Sequence, residues 1–302
     1  MKIAKKNSNK LIIVLSIFSI LLILSGMVVM FYPTYTDLVY QQKVHEQYVK
    51  FNSAFEKSNE DAVNSDIQAL YEELVSRNNK LFNTNQQDLK DPFSYEQPDI
   101  DLSKYGIKDN TIGFVSIPKI DVYLPILLGA NTDNLAKGAA HLTNTSYPIG
   151  GINTNCIIAG HRGYRETAMF RGLYDLETGD KIFIENFKEK LTYKVIEIKQ
   201  ILPYEVDELT IVEGKDMVTL FTCAPFGYNT HRLLVRCERI ENVETNEASK
   251  VDAIGSSTVK LWTGAKYVRI PKVAIIGSVF AVMLVIILII IFIKRRIKRA
   301  DS

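Results

Sequence analysis

The sequence predicts a mainly β domain, closed or sandwiched, preceded by helices and bracketed by two apolar spans. Three observations carry that expectation. After Asn110, seven short runs rich in Val, Ile, Phe, Tyr and Thr follow one another, separated by turn residues. Residues 36 to about 80 instead place their apolar side chains at helical spacing. Residues 11–31 and 273–293 are uncharged and 21 residues long each. At about 1.5 Å per residue, either run crosses a hydrocarbon core of roughly 30 Å.

The first apolar run stands behind Lys2, Lys5, Lys6 and Lys10. A cleaved secretory leader starts the same way, but its apolar stretch is usually about 7–15 residues and ends at an A-x-A-like site. Neither feature is met, so an uncleaved anchor is the better reading. The first ten residues hold four Lys and no acid, whereas residues 33–52 hold Lys43 and Lys50 offset by Asp37 and Glu46. That asymmetry puts the N-terminus in the cytoplasm. Five basic residues follow the second run, which agrees, although Lys260, Lys266, Arg269 and Lys272 precede it. The expectation is a two-span protein of the cell membrane with both termini cytoplasmic.

Between the spans, Tyr40, Val44, Tyr48, Phe51 and Phe55 fall on one helix face. Ser58 with Asp61 three later resembles a capping box for a second helix bearing Leu70, Leu74 and Val75. Residues 83–105 lose the period and carry two prolines, which marks a long surface segment. The β-like runs are 111–117, 122–128, 156–159, 181–185, 191–200, 217–222 and 233–238. The expected organisation is a cytoplasmic tail (1–10), a transmembrane helix (11–32), an extracellular helical segment (33–82), the surface segment (83–106), the β domain (107–245), a linker (246–272), a second transmembrane helix (273–293) and a cytoplasmic tail (294–302).

Charge and composition exclude several functions. A net charge of +2 supplies no electrostatic reason to expect nucleic acid. Outside the two tails, 27 Lys+Arg face 33 Asp+Glu, so the part between the spans is about −6. Three cysteines in 302 residues are no disulfide framework, and none are spaced as zinc ligands. No GxxxxGK[ST] run is present, so neither a metal nor a nucleotide cofactor is expected.

The chemistry converges on Cys223, at the end of an apolar strand and ahead of Pro225 and Gly227, which turn the chain. A thiol at a strand mouth serves as a nucleophile when a neighbour takes its proton. Of the four histidines, His45 lies on the anchor-proximal helix, while His161 ends its own apolar strand. Singly, such a Cys is usually a small buried residue, such a His a turn residue, and Arg232 a surface charge. Their conjunction with the local sequences changes the weighing.

TLFTC at 219–223, followed nine residues later by Arg232 in NTHRLLVR, resembles the TLxTC…R signature of sortases, the Gram-positive cysteine transpeptidases. AGHRG around His161 resembles the histidine motif of that family, and the likeness covers essentially residues 80–240. It is closest to class C sortases, the pilin polymerases, which carry THRLLVRG after the cysteine, a second C-terminal span and an N-terminal lid with Asp-Pro-aromatic. Asp91, Pro92 and Phe93 stand where that lid motif falls.

The resemblance implies an eight-stranded, closed sortase-type β-barrel with N-terminal helices and a lid, flanked by two transmembrane helices. It implies that Cys223 attacks the Thr–Gly bond of an LPXTG-type sorting signal, that His161 is the general acid/base and that Arg232 holds the substrate carbonyl or oxyanion. Asp91 would pair with Arg232 while Phe93 covers the thiol. His141, in GAAHL, resembles a recurring family position that supports the site. The implied partners are pilin or surface-protein substrates, an acceptor lysine amine of a pilin, and the membrane. The alternative within the family is a housekeeping sortase that anchors proteins to the cell-wall precursor. Outside the family, a cysteine hydrolase or an adhesion ectodomain would fit the composition. This chain departs from the class C pattern at Phe93, where Trp is commoner, and at Cys237, where Gly is usual. Cys237 and Cys156 read as small buried residues, and whether they pair is open.

Overall fold

A computed structural model describes residues 2–56, 61–164, 167–225, 227–241, 258–262 and 267–271. Two helices come first, α1 (Lys2–Glu56) and α2 (Asp61–Asn83). Eight strands follow: β1 (Thr111–Ile117), β2 (Val122–Leu128), β3 (Ala139–His141), β4 (Thr154–Ala159), β5 (Lys181–Glu185), β6 (Lys190–Ile201), β7 (Asp216–Ala224) and β8 (His231–Ile240). A six-residue helix, α3 (Thr132–Lys137), joins β2 to β3. The strands close into a barrel in the order β1-β2-β3-β4-β7-β8-β6-β5, which leaves no free edge to template aggregation.

Seven strands coincide with the apolar runs. The eighth, β3, is the three-residue Ala139-Ala140-His141, which pairs parallel to β2 and antiparallel to β4. Alanine is a poor strand former, and three residues are too few to show alternation. This strand is held by its neighbours, not by its own propensity.

Contacts follow the helical period. Within α1, Val44 and Phe51 are buried, and the Tyr48 ring stands edge-on to Phe114 at 5.3 Å and to Tyr123 at 5.5 Å. The Tyr48 hydroxyl donates to Glu185 Oε1 at 3.2 Å, fixing this face against β1, β2 and β5. On α2, Leu70 and Leu74 are fully buried, whereas Val75 is 37% exposed. One position beyond Leu74 lies about 100° around the helix, at the edge of the buried face here.

The proposed cap Ser58 and the second apolar run 273–293 lie outside the described residues. Helix α1 is long enough, and over Val14–Ser53 apolar enough, to cross a membrane. Residues 258–271, read as linker, contain a separate antiparallel hairpin of β9 (Thr258–Trp262) and β10 (Tyr267–Pro271).

The barrel registers sort out the cysteines. Val218 pairs with Cys156 on one side and Cys237 on the other, so a whole strand separates the two. Two strand spacings are roughly 9.6 Å, beyond the Cα separation of about 7 Å that a disulfide tolerates. Both thiols are free and buried, and burial pushes both pKa values well up.

Candidate active site

Strand register assembles the site. Strands β4 and β7 run parallel, with Ala159 opposite Phe221, and the Gly160 N–H donates to Phe221 O at 3.0 Å. His161 and Cys223 each come two residues after that last pair, at the same end of the two strands. Strands β7 and β8 are antiparallel, and there Cys223 pairs directly with Arg232. Phe93 lies against both His161 and Arg232, which gathers His161, Cys223 and Arg232 into one group at this end of the barrel.

Side chains alternate between faces, so these three share the face of Ala159, Phe221 and Leu234. That face belongs to a buried cluster with Leu135, Ala140, Ile157, Ile201 and Leu209, against which Leu89 and Phe93 pack. Leu89 and Phe93 of the 83–106 segment thus pack on the barrel, while most of the segment stays at the surface.

Asp91 makes two things at once. Its side chain accepts from the Phe93 N–H at 3.4 Å and its carbonyl from Ser94 N–H at 2.8 Å, shaping the 3₁₀ turn Pro92–Ser94. The same carboxylate takes a two-pronged bond from Arg232, Nε to Oδ1 at 3.1 Å and Nη2 to Oδ2 at 2.5 Å. Arg232 Nη1 is spent on the carbonyls of Asn229 (2.8 Å) and His231 (3.0 Å). The turn and the ion pair expected of DPF are one arrangement.

Phe93 lies 5.6 Å from the His161 ring and 6.2 Å from that of Phe221, with the Arg232 guanidinium carbon 5.4 Å from its centroid. A Lys90–Glu96 pair at 3.0 Å draws the two ends of the turn together. At the base of the segment, Gln86 accepts from Ile211 N–H and donates to Asn144 O, and Tyr147 OH donates to Asp99 at 2.5 Å.

Electrostatics favour neutral partners in this closed arrangement. Burial raises the Cys223 pKa, Asp91 adds to the rise, and Arg232 opposes both. Burial also lowers the His161 pKa. Both shifts favour the uncharged forms, thiol and imidazole, near neutral pH.

His141 is not part of this group. Its register partner is Ile158, three residues before His161 and facing the opposite side. The ring is fully buried, Nε2 faces the carbonyls of Thr145 and Ser146 at 3.2 Å, and it stacks on Tyr147 at 4.8 Å. Burial lowers its pKa, and the carbonyl partners require Nε2 to carry the proton. Through Tyr147 and Asp99 it braces the base of the covering segment.

Two residues were not singled out from sequence. Thr222 donates from Oγ1 to Gly160 O at 2.7 Å, tying the cysteine strand to the histidine loop. It lies inside TLFTC, where a polar residue in an apolar strand was the available signal. Tyr164 stacks on His161 at 5.0 Å and 14°, from a loop with no periodicity to betray it. Replacing Thr222 with Val keeps its shape but strands a buried carbonyl. The expected loss is about 1–3 kcal/mol in denaturant unfolding, with a slower acyl-transfer step.

The closed barrel thus brings a cysteine, a histidine and an arginine to one end, a set of groups suited to thiol acyl transfer. The profile described as the sortase domain matches residues 115–240. Sortase A of Bacillus anthracis is 30% identical over 149 residues, 48% of this chain and 68% of that protein. The crystal structure of Streptococcus agalactiae sortase C1 superposes with a TM-score of 0.57 at 34% identity, covering 64% of this chain and 99% of that one. Sortase C-1 of Streptococcus pneumoniae gives 0.56 at 37%, covering 66% and 100%. The chain belongs to the sortase family of cysteine transpeptidases, and its structural neighbours are class C sortases.

Proposed function

We propose that this sortase polymerises pilins. It would cleave an LPXTG-type sorting signal between Thr and Gly and join the acyl group to a lysine amine of the next pilin. The observation that supports the residue roles is Cys223 opposite Arg232 in the β7–β8 register, with Phe93 touching both His161 and Arg232.

Cys223 Sγ attacks the Thr carbonyl carbon while its proton passes to His161. Arg232, released from Asp91, takes the developing oxyanion; a guanidinium stays charged and offers several donors. The C–N bond breaks as His161 returns the proton to the leaving Gly amine, leaving a thioester. An acceptor amine then gives a proton to His161, attacks the thioester and expels the thiolate. One amide is exchanged for another, so no ATP is consumed.

Residues 83–106 act as a lid, in which Asp91 neutralises Arg232 and Phe93 occupies the space between the lid and His161. Residues 11–32 and 273–293 anchor the enzyme, with both termini cytoplasmic and the barrel outside.

Intact-mass measurement of the full chain in detergent, incubated with LPXTG-type peptides, tests the reading. The expected adduct ends at the Thr acyl group, is absent in Cys223→Ala, and is discharged by a pilin domain bearing the acceptor lysine. No adduct from folded protein, nor from its Phe93→Ala form, over a broad peptide panel would sink the sortase-signal assignment. Discharge by a peptidoglycan-precursor amine but not by pilin would replace polymerisation with wall anchoring.

A further inference from the structure

We infer that Tyr164 is a positioning residue that orients the His161 imidazole, a ring stack standing where other cysteine–histidine sites use a hydrogen-bonded third group. The inference rests on His161 being the acid/base of the proposed reaction, and deepens that reading.

A general base that must both take and return a proton needs one nitrogen held toward sulfur, and such bases are commonly steadied by a carboxylate or amide on the other nitrogen. Among the described residues, neither ring nitrogen of His161 has a hydrogen-bond partner. What the imidazole has is aromatic contact. Tyr164 lies nearly parallel to it, centroids 5.0 Å apart and planes 14° apart, whereas Phe93 is farther and more tilted, at 5.6 Å and 32°.

The two rings differ in what holds them. Phe93 belongs to the turn clamped by Asp91 on Arg232, and the reaction needs that guanidinium for the substrate. The backbone of Tyr164 is held within its own loop, independently of the turn that carries Phe93. Its N–H donates to Thr167 O at 3.1 Å, and its carbonyl accepts from Thr167 N–H at 3.0 Å and from Thr167 Oγ1 at 2.6 Å. The His161 carbonyl accepts from Phe170 N–H at 3.0 Å, closing the same loop. Gly163, at φ +93°, makes the left-handed turn that folds Tyr164 back onto the imidazole three residues before it. Arg162, between them, is set aside over the Tyr174 ring at 4.0 Å.

When substrate displaces the lid, the Phe93 contact goes and the Tyr164 stack stays. The stack also suits both protonation states. A neutral imidazole packs on a phenol ring, and an imidazolium gains from the ring's negative face. Orientation is thereby held throughout the proton's transfer and return.

The test uses the full chain in detergent and steady-state transfer from one LPXTG-type peptide, with His161→Ala as reference. Tyr164→Leu keeps bulk and removes the ring. The expected result is a kcat about 10- to 100-fold lower, the scale of misplacing a catalytic group. KM stays within about twofold, and Cys223 alkylation is not slowed. Tyr164→Phe restores most of the lost kcat. If Tyr164→Leu does not fold, Tyr164→Met is read by the same criteria. A ring-less variant with kcat within about twofold of the unsubstituted enzyme overturns the inference. So does Tyr164→Phe losing as much as Tyr164→Leu, because the hydroxyl would then be what matters. Full activity in His161→Ala would instead remove the acid/base reading beneath it.

Discussion

Arg232→Ala is expected to lower thioacyl formation by about 100- to 1000-fold, the effect of deleting one oxyanion donor, while raising the rate at which a small alkylating agent reaches Cys223. The opposite signs come from two duties of one guanidinium. It is 8% exposed and closes the covering turn through Asp91, yet it stands directly across from Cys223 in the β7–β8 register. Removing it frees the turn and disarms the chemistry together. Losing its charge also makes the thiol harder to ionise, so alkylation is compared at a pH high enough to ionise both proteins. Arg232→Lys should fall between, since an ammonium keeps the charge but not the planar two-pronged bond. A variant that lost turnover with alkylation unchanged would separate Arg232 from lid closure.

Asp91→Ala isolates the other half of the contact. Hydrogen bonds to charged groups contribute about 1.5–3 kcal/mol, so their loss should favour the open lid by on the order of 10- to 100-fold. Alkylation at neutral pH should rise accordingly. The sign of the pH effect follows from the thiol's surroundings: burial and Asp91 raise its pKa, and Arg232 lowers it. With Asp91 gone and burial relieved, Arg232 acts alone. The midpoint of the alkylation–pH profile should therefore move to lower pH. Phe93→Ala opens access but keeps the carboxylate, so its midpoint should move less. A midpoint that stayed put or rose in Asp91→Ala would sink this electrostatic account.

What the sequence disclosed and what it withheld differ by the range of the forces involved. Strands such as Thr111–Ile117 and Val122–Leu128 announce themselves because their own residues are apolar or β-branched, and both were read with their bounds. Ala139–His141 exists only because β2 and β4 flank it, and nothing in AAH says so. Residues 83–105 lack periodicity and read as surface chain. Their conformation is set by a partner 141 positions away, the arginine that meets Asp91. At the site, local motifs single out Cys223, His161, Arg232 and the DPF turn as candidates. That these come together at one end of the barrel depends on a parallel pairing of β4 with β7 that no local pattern encodes. Tyr164 was hidden for the same reason, since a stack made by a loop leaves no period.

The separation of the cysteines has a consequence for oxidative injury. Cys156 and Cys237 sit level with Val218, five residues along β7 from Cys223, which is roughly 16 Å of strand. Both are sealed in the core, whereas Cys223 is partly accessible. Peroxide that enters an open site therefore finds one sulfur, and the sulfenic acid formed there has no second thiol within reach to trap it as a disulfide. Without an internal resolving partner, recovery requires a reductant from outside the protein, and further oxidation to the sulfinic acid competes with it. If the Phe93 turn gates the site as proposed, it would also protect, because each interval of closure would shorten the time Cys223 is open to irreversible oxidation.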